Sequence, residues 1–156
     1  KLASSIGMRI IAYDALLKPE SVVVDGGQLL PFDEVIAGSD FLTIHTPMTD
    51  ETRGLINKDV ISKMKDGVFI INAARGGIID EIALLDGLNS GKIGGVALDV
   101  YLNEPPTNQD LINHPKLIAT PHIAGQTIDG QAQVSIDIAT EVLSALAGEQ
   151  LHWKVV

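Results

Sequence analysis

Several residues able to do chemistry stand directly after short apolar runs. Asp14 follows Arg9-Ile10-Ile11-Ala12-Tyr13, and His45-Thr46-Pro47 follow Phe41–Ile44. Asn72-Ala73-Ala74-Arg75-Gly76-Gly77 follow Val68–Ile71; Asp99, and five residues on Glu104, follow Val96–Leu98; Pro121-His122 follow Leu117–Thr120. An Arg offers a planar fork that can bind a carboxylate bidentately. A His beside a carboxylate has a raised pKa and a fixed ring, which suits it to exchange the proton of a hydroxyl group. An Asp ending the second strand of a dinucleotide fold accepts hydrogen bonds from ribose hydroxyls. Taken together these types outline hydride transfer coupled to proton transfer. Singly each has an ordinary explanation: an Arg after a strand is usually a solvated charge, a His after Pro a packing residue, Asp14 a turn residue, Asp99 and Glu104 polar loop residues. Their recurrence at five successive run ends favours a site.

The elements that must position them alternate in kind. Val- and Ile-rich runs at Met8–Ala12, Phe41–Ile44, Val68–Ile71, Gly95–Leu98 and Leu117–Ala119 read as strands buried on both faces. Between them lie helical stretches at Phe32–Ala37, Lys58–Lys65 capped by Asn57, and Glu81–Asn89 capped by Asp80 and closed by Gly91. A long helix follows over Ile128–Ala147, where Ala132, Ile136, Ala139, Leu143 and Leu146 share one face and predict core packing. Its polar face is acidic and neutral, which disfavours a membrane surface. Strands alternating with helices on long connections predict an α/β fold with a doubly wound parallel sheet, and in such a sheet ligands bind beyond the carboxyl ends of the strands.

Composition excludes other chemistries. The chain has 156 residues, 46% hydrophobic and 20% charged, which suits one globular domain. A net charge of −9 without a Lys/Arg cluster argues against nucleic acid and anionic membranes as partners. No apolar run reaches transmembrane length. Zero Cys removes disulfides, thiolate nucleophiles and Cys-based zinc sites and is compatible with a reducing compartment, so a cytoplasmic setting is expected. His45, His114, His122 and His152 have no metal-ligand spacing, and no Gly-x-Ser-x-Gly occurs. No metal is expected.

Three ordered strings carry a resemblance: Asn72-Ala73-Ala74-Arg75-Gly76-Gly77-Ile78-Ile79-Asp80-Glu81, then Ala97-Leu98-Asp99-Val100-Tyr101 leading to Glu104-Pro105-Pro106, then Thr120-Pro121-His122-Ile123-Ala124-Gly125. With His45-Thr46-Pro47 they resemble the signatures of the NAD-dependent D-2-hydroxyacid dehydrogenases, over about residues 10–147. The resemblance implies a Rossmann-like fold and an oxidoreductase acting on a small 2-hydroxy or 2-keto acid. 3-Phosphoglycerate, and with it serine biosynthesis, comes first; glyoxylate, hydroxypyruvate and lactate stay open. It also implies roles. Arg75 anchors the substrate, Glu104 pairs with His122, and His122 is the general acid/base. Asp14 holds the adenine ribose, and Thr46, Ala73, Ala74 and Asp99 line the cofactor. Ile123, Ala124 and Gly125 flank the nicotinamide, with Arg75 and His122 also bordering it. Ala15, Leu16 and Leu17 follow Asp14 and include no Arg for a 2′-phosphate, which favours NAD over NADP.

The chain opens on Lys1, and the family's first strand and Gly-x-Gly-x-x-Gly turn are not in it. The expected organisation is a partial dinucleotide-binding domain over 1–147, with 148–156 leading back toward a substrate domain that the chain lacks. The chain alone is then expected to bind NAD weakly and to turn over little substrate, and the full-length protein to be a homo-oligomer. The alternative is an NAD-sensing binding module or co-regulator of the same fold.

Overall fold

The computed structural model describes residues 1–17 and 26–153. In chain order the elements are α1 (Leu2–Ser5), β1 (Ile11–Ala12), β2 (Gln28–Leu29), α2 (Phe32–Gly38), β3 (Phe41–Ile44), α3 (Lys58–Lys63), β4 (Val68–Asn72), α4 (Glu81–Ser90), β5 (Ile93–Leu98), α5 (Gln109–Ile112), β6 (Leu117–Ala119) and α6 (Ile128–Ala147). Two compact units, Lys1–Pro121 and His122–Val156, divide the chain.

In the first unit β3-β4-β5-β6 form a parallel sheet in that order, with Thr43 opposite Ile71, Ile71 opposite Ala97 and Ala97 opposite Ile118. Each crossover carries a helix, and α2, α3, α4 and α5 pack in succession, as right-handed crossovers along one direction of a sheet require. Ile70, Val96 and Leu98 of the sheet meet Ile61, Leu84, Leu88 and Leu111 of the helices in one core. Full burial of each such side chain stabilises by about 1.5–3 kcal/mol. The opposite sheet face carries Phe41, Phe69 and Ile118, exposed by 54%, 43% and 69%. There the rings of Phe41 and Phe69 stack with centroids 5.1 Å apart.

The caps form as their residue types predict. The Asn57 side chain accepts the Val60 amide, Asp80 accepts those of Ile82 and Ala83, and Gly91 closes α4 at φ 79°. Four of the five expected strands lie in the one parallel sheet, β4 and β5 slightly longer than their apolar runs. The remaining run, Met8–Ala12, is a correction. It narrows to the two residues of β1, which pairs in parallel with β2, a strand too short to leave an apolar run, and is not bonded to the larger sheet. The four-stranded parallel sheet with helical crossovers is the Rossmann-like arrangement the sequence predicts. Two smaller differences concern helices. α5 lacks enough apolar positions to show a period, and α3 ends at Lys63, where Met64 turns extended and buries its side chain.

The second unit holds α6, capped by Thr127 at one end and by left-handed Gly148 at the other. Its limits agree with the sequence, but its expected core packing does not. None of its residues is buried, and Ile136, Leu143 and Leu146 are exposed by 60%, 67% and 81%. Periodicity identifies the face that gains by burial but carries no information on what covers it. Glu141 on this helix accepts the backbone amides of His152 and Trp153 and touches the His152 ring at 3.1 Å. Burial raises its pKa, and these bonds outweigh that, so the carboxyl lies below its usual value. Lys154–Val156, the end of the segment expected to lead back toward a substrate domain, lie outside the described residues.

Candidate active site at the carboxyl edge of the sheet

Because β3 to β6 are parallel, the residues after them share one edge. After β3 come His45 and Thr46. The exposed His45 ring bonds the Thr43 hydroxyl at 2.9 Å through Nε2. The Thr46 hydroxyl oxygen is buried and has no hydrogen-bond partner. A buried hydroxyl left unpaired costs about 1–3 kcal/mol, so this oxygen can take a hydrogen bond at the sheet edge.

β4 ends on Asn72, which is 2% exposed. Its Oδ1 accepts the Ala74 amide at 3.0 Å and its Nδ2 donates to the Arg75 carbonyl at 2.9 Å. That turn lifts Arg75 into solvent, where Nη1 donates back to the Ala74 carbonyl. Gly76 follows because nothing larger fits, since a Cβ there would overlap the Tyr101 carbonyl. The loop after β4 thus lies directly against the loop after β5.

The β5 loop carries Asp99, Tyr101 and Glu104. Asp99 is buried, its amide donates to the Asn72 carbonyl at 3.0 Å, and its carboxylate accepts the Thr120 hydroxyl at 2.6 Å. The Tyr101 amide donates to Glu104 Oε1 at 3.2 Å, and the Leu102 amide donates to Glu81 Oε1 at 2.8 Å, tying the loop to the start of α4. The Tyr101 hydroxyl donates within reach of the Thr120 carbonyl at 2.9 Å and the Leu98 carbonyl at 3.1 Å. Burial pushes the Tyr101 phenol up from its usual value, and the charges of Asp99, Glu104 and Glu81 push the same way. The ring therefore stays neutral as a donor at neutral pH.

The structure brings Thr46, Ala73, Ala74, Arg75, Asp99 and Glu104 to one edge of the first unit. Asp14 follows β1, in the separate strand pair, and its Oδ1 accepts the Leu16 amide at 2.8 Å and the Leu17 amide at 3.2 Å. His122, Ile123, Ala124 and Gly125 open the second unit and are all exposed. His122 has φ 55°, unusual for a residue with a side chain and common at functional positions. Sequence reasoning missed Asn72, Tyr101, Thr120 and Glu81, which hold the candidates in place. All four lie in the three ordered strings, and Asn72 also stands out as a polar residue ending an otherwise apolar run, but neither signal tells which groups they hold. No cluster of three or more His, Asp or Glu suited to a metal occurs among the described residues.

The edge fits a dinucleotide. The Thr46 hydroxyl, without a hydrogen-bond partner among the described residues, offers a hydrogen bond, and Ala73 and Ala74 leave room for close approach. Comparison with known proteins agrees. Residues 1–124 match the NAD binding domain of the D-isomer specific 2-hydroxyacid dehydrogenases. The chain is 44% identical over 146 residues to the D-3-phosphoglycerate dehydrogenase of Bacillus subtilis, covering 94% of this chain and 28% of that one. A glyoxylate reductase from Paecilomyes thermophila superposes with a TM-score of 0.87 at 39% identity, over 96% of this chain and 46% of that one. A D-lactate dehydrogenase with NAD+ from Lactobacillus jensenii gives 0.86 at 27% identity, over 99% and 50%. The chain therefore spans little over a quarter of that curated relative and about half of those solved chains. From the ordered motifs, the parallel sheet and these matches, the chain belongs to the D-isomer specific 2-hydroxyacid dehydrogenases, as their NAD-binding domain.

Proposed function

We propose that the protein carrying this chain interconverts a D-2-hydroxy acid and its 2-keto acid with NAD, with 3-phosphoglycerate as the first substrate to test. The observation that carries this reading is the Asn72–Gly76 turn, which presents Arg75 at the carboxyl edge of the sheet against the loop that holds Glu104. The name of the Bacillus subtilis relative supports the choice of acid. Residues 1–147 form the dinucleotide-binding part, and 148–156 lead back to the substrate-binding part. The protein works as a homo-oligomer in the cytoplasm, a setting compatible with its lack of Cys.

In this reading Arg75 binds the substrate carboxylate with its guanidinium fork and fixes C2 for reaction. His122 takes the hydroxyl proton on a ring nitrogen, a role in which the resemblance names Glu104 as its carboxylate partner. NAD, when held by these residues, would supply the acceptor for the hydride of C2. Asp14 receives the adenine ribose hydroxyls. Thr46, Ala73, Ala74 and Asp99 are the residues of the first unit that would hold the cofactor, and the resemblance adds Ile123, Ala124 and Gly125 of the second. The positive φ of His122 supports its role, because strained backbone persists where function over-determines it.

The test is NADH absorbance in the full-length protein with 3-phosphoglycerate, glycerate, glycolate and D-lactate. Reduction of NAD+ by one of them, with kcat falling at least about 100-fold in His122→Ala, is the expected result, in line with the usual scale of general-base catalysis. NAD binding with no turnover of any acid overturns the reading in favour of an NAD-sensing module.

A further inference from the structure

We propose that Asn72 is a positioning residue that sets the aim of Arg75, an inference that rests on the substrate-binding role assigned to Arg75 above. Asn72 ends β4 on the helix-covered sheet face, in register with Ile44 and Leu98 and on the same side as Ile70, all of them buried. A carboxamide in such surroundings is costly unless its donors and acceptor are engaged. Here one donor and the acceptor are engaged with the next turn of the backbone. Oδ1 holds the Ala74 amide and Nδ2 holds the carbonyl of Arg75 itself. The Asn72 backbone carbonyl meanwhile accepts the Asp99 amide, so the base of the turn is tied to β5.

The far side of Arg75 is fixed as well. Gly76 lies against the Tyr101 carbonyl so closely that no side chain fits. The Arg75 Cα is thus held from before by a side chain and from after by a backbone contact, and only its own torsions remain to choose where the fork points. Neither Asp nor Ser replaces Asn at this position. Asp has the length but lacks the donor for the Arg75 carbonyl, and Ser cannot offer both groups at that reach. Misplacing a binding group by about 1 Å can cost about 100-fold in rate.

The experiment is a double-mutant cycle in the full-length protein. Asn72→Ala removes both bonds; Asn72→Asp keeps the Ala74 bond and places a carboxylate oxygen against the Arg75 carbonyl. Each is expected to lower kcat/KM for the acid at least about 10-fold, mainly through KM of the acid, with the urea midpoint confirming a folded protein. In an Arg75→Lys background, which keeps the charge without the fork, Asn72→Ala is expected to add less than a twofold loss. Full additivity in that background, or unchanged KM in both single variants, overturns the proposal. Hydrogen exchange over residues 73–76 gives a readout that needs no turnover, and it is expected to quicken at least tenfold in Asn72→Ala. If the wild-type protein reduces NAD+ with no acid, the functional reading fails and the aiming role with it. Unchanged exchange in an active protein rejects the Asn72 turn alone.

Discussion

Arg75 stands on a turn whose bonds are all local, which leaves its guanidinium exposed at the sheet edge. Lysine there retains a charge but loses the bidentate fork, so Arg75→Lys should raise KM for the acid by about 10-fold or more while leaving the NAD dissociation constant nearly unchanged; steady-state kinetics and a cofactor titration check both halves. Tyr101 yields a pH prediction. Burial and the neighbouring carboxylates raise its folded pKa above its unfolded value, so the folded state holds the phenolic proton more tightly. That contribution is complete below about pH 10, the unfolded value, and is lost as pH rises through the higher folded value. Urea midpoints measured from pH 8 to 11 should fall above about pH 10. In Tyr101→Phe, which gives up hydrogen bonds worth about 1 kcal/mol at neutral pH, that part of the decline should disappear.

Loops of the site interlock, because those after β3, β4 and β5 share contacts. The Gly54 amide donates to the Gly77 carbonyl at 2.8 Å, and Ile56 bridges to Ile79, joining the β3 loop to the segment after Arg75. Gly76 joins that segment to Tyr101. Gly76→Ala should therefore destabilise by at least about 2–3 kcal/mol, the scale of overpacking against a backbone that cannot yield, read as a lower urea midpoint. Asp80→Ala removes a cap that holds two amides at the start of α4 and should cost about 1 kcal/mol, with no comparable change in KM for the acid.

Among the described residues, the four-stranded sheet of the first unit has one face covered by helices and one that is largely apolar and exposed. Parallel sheets ordinarily have both faces covered, and Phe41, Phe69 and Ile118 are the residues a cover would meet. The 156-residue chain by itself should bind the dye ANS through this face. Replacing those three by Thr, a β-branched residue suited to strands that lacks their apolar surface, should lower the fluorescence at least threefold if the face is the main dye site. Undiminished fluorescence would place the dye on α6, whose Leu143 and Leu146 are also exposed.

Much of the molecule was legible without coordinates. The strands β3 to β6 were legible as dense Val/Ile runs, and the caps Asn57, Asp80 and Gly91 were legible because local hydrogen bonds and φ preferences are set by the residues themselves. Arg75, Asp99 and Glu104 were legible as chemical types after those runs. Pairings that join distant residues were not. The Tyr101 hydroxyl meets the Thr120 carbonyl across 19 positions and the Leu102 amide meets Glu81 across 21, and no periodicity encodes either. β2 was too short for a pattern, and the exposure of α6 depended on surroundings its amphipathic face could not specify. The longer elements β3 to β6, α4 and α6, their caps and the chemical types at their ends follow from the sequence alone, because local propensity and burial pattern set them. Only the tertiary structure decided that β1 pairs with β2, that Asn72 closes the Arg75 turn and that Gly76 meets Tyr101, because those depend on which strands lie side by side and how closely two loops approach.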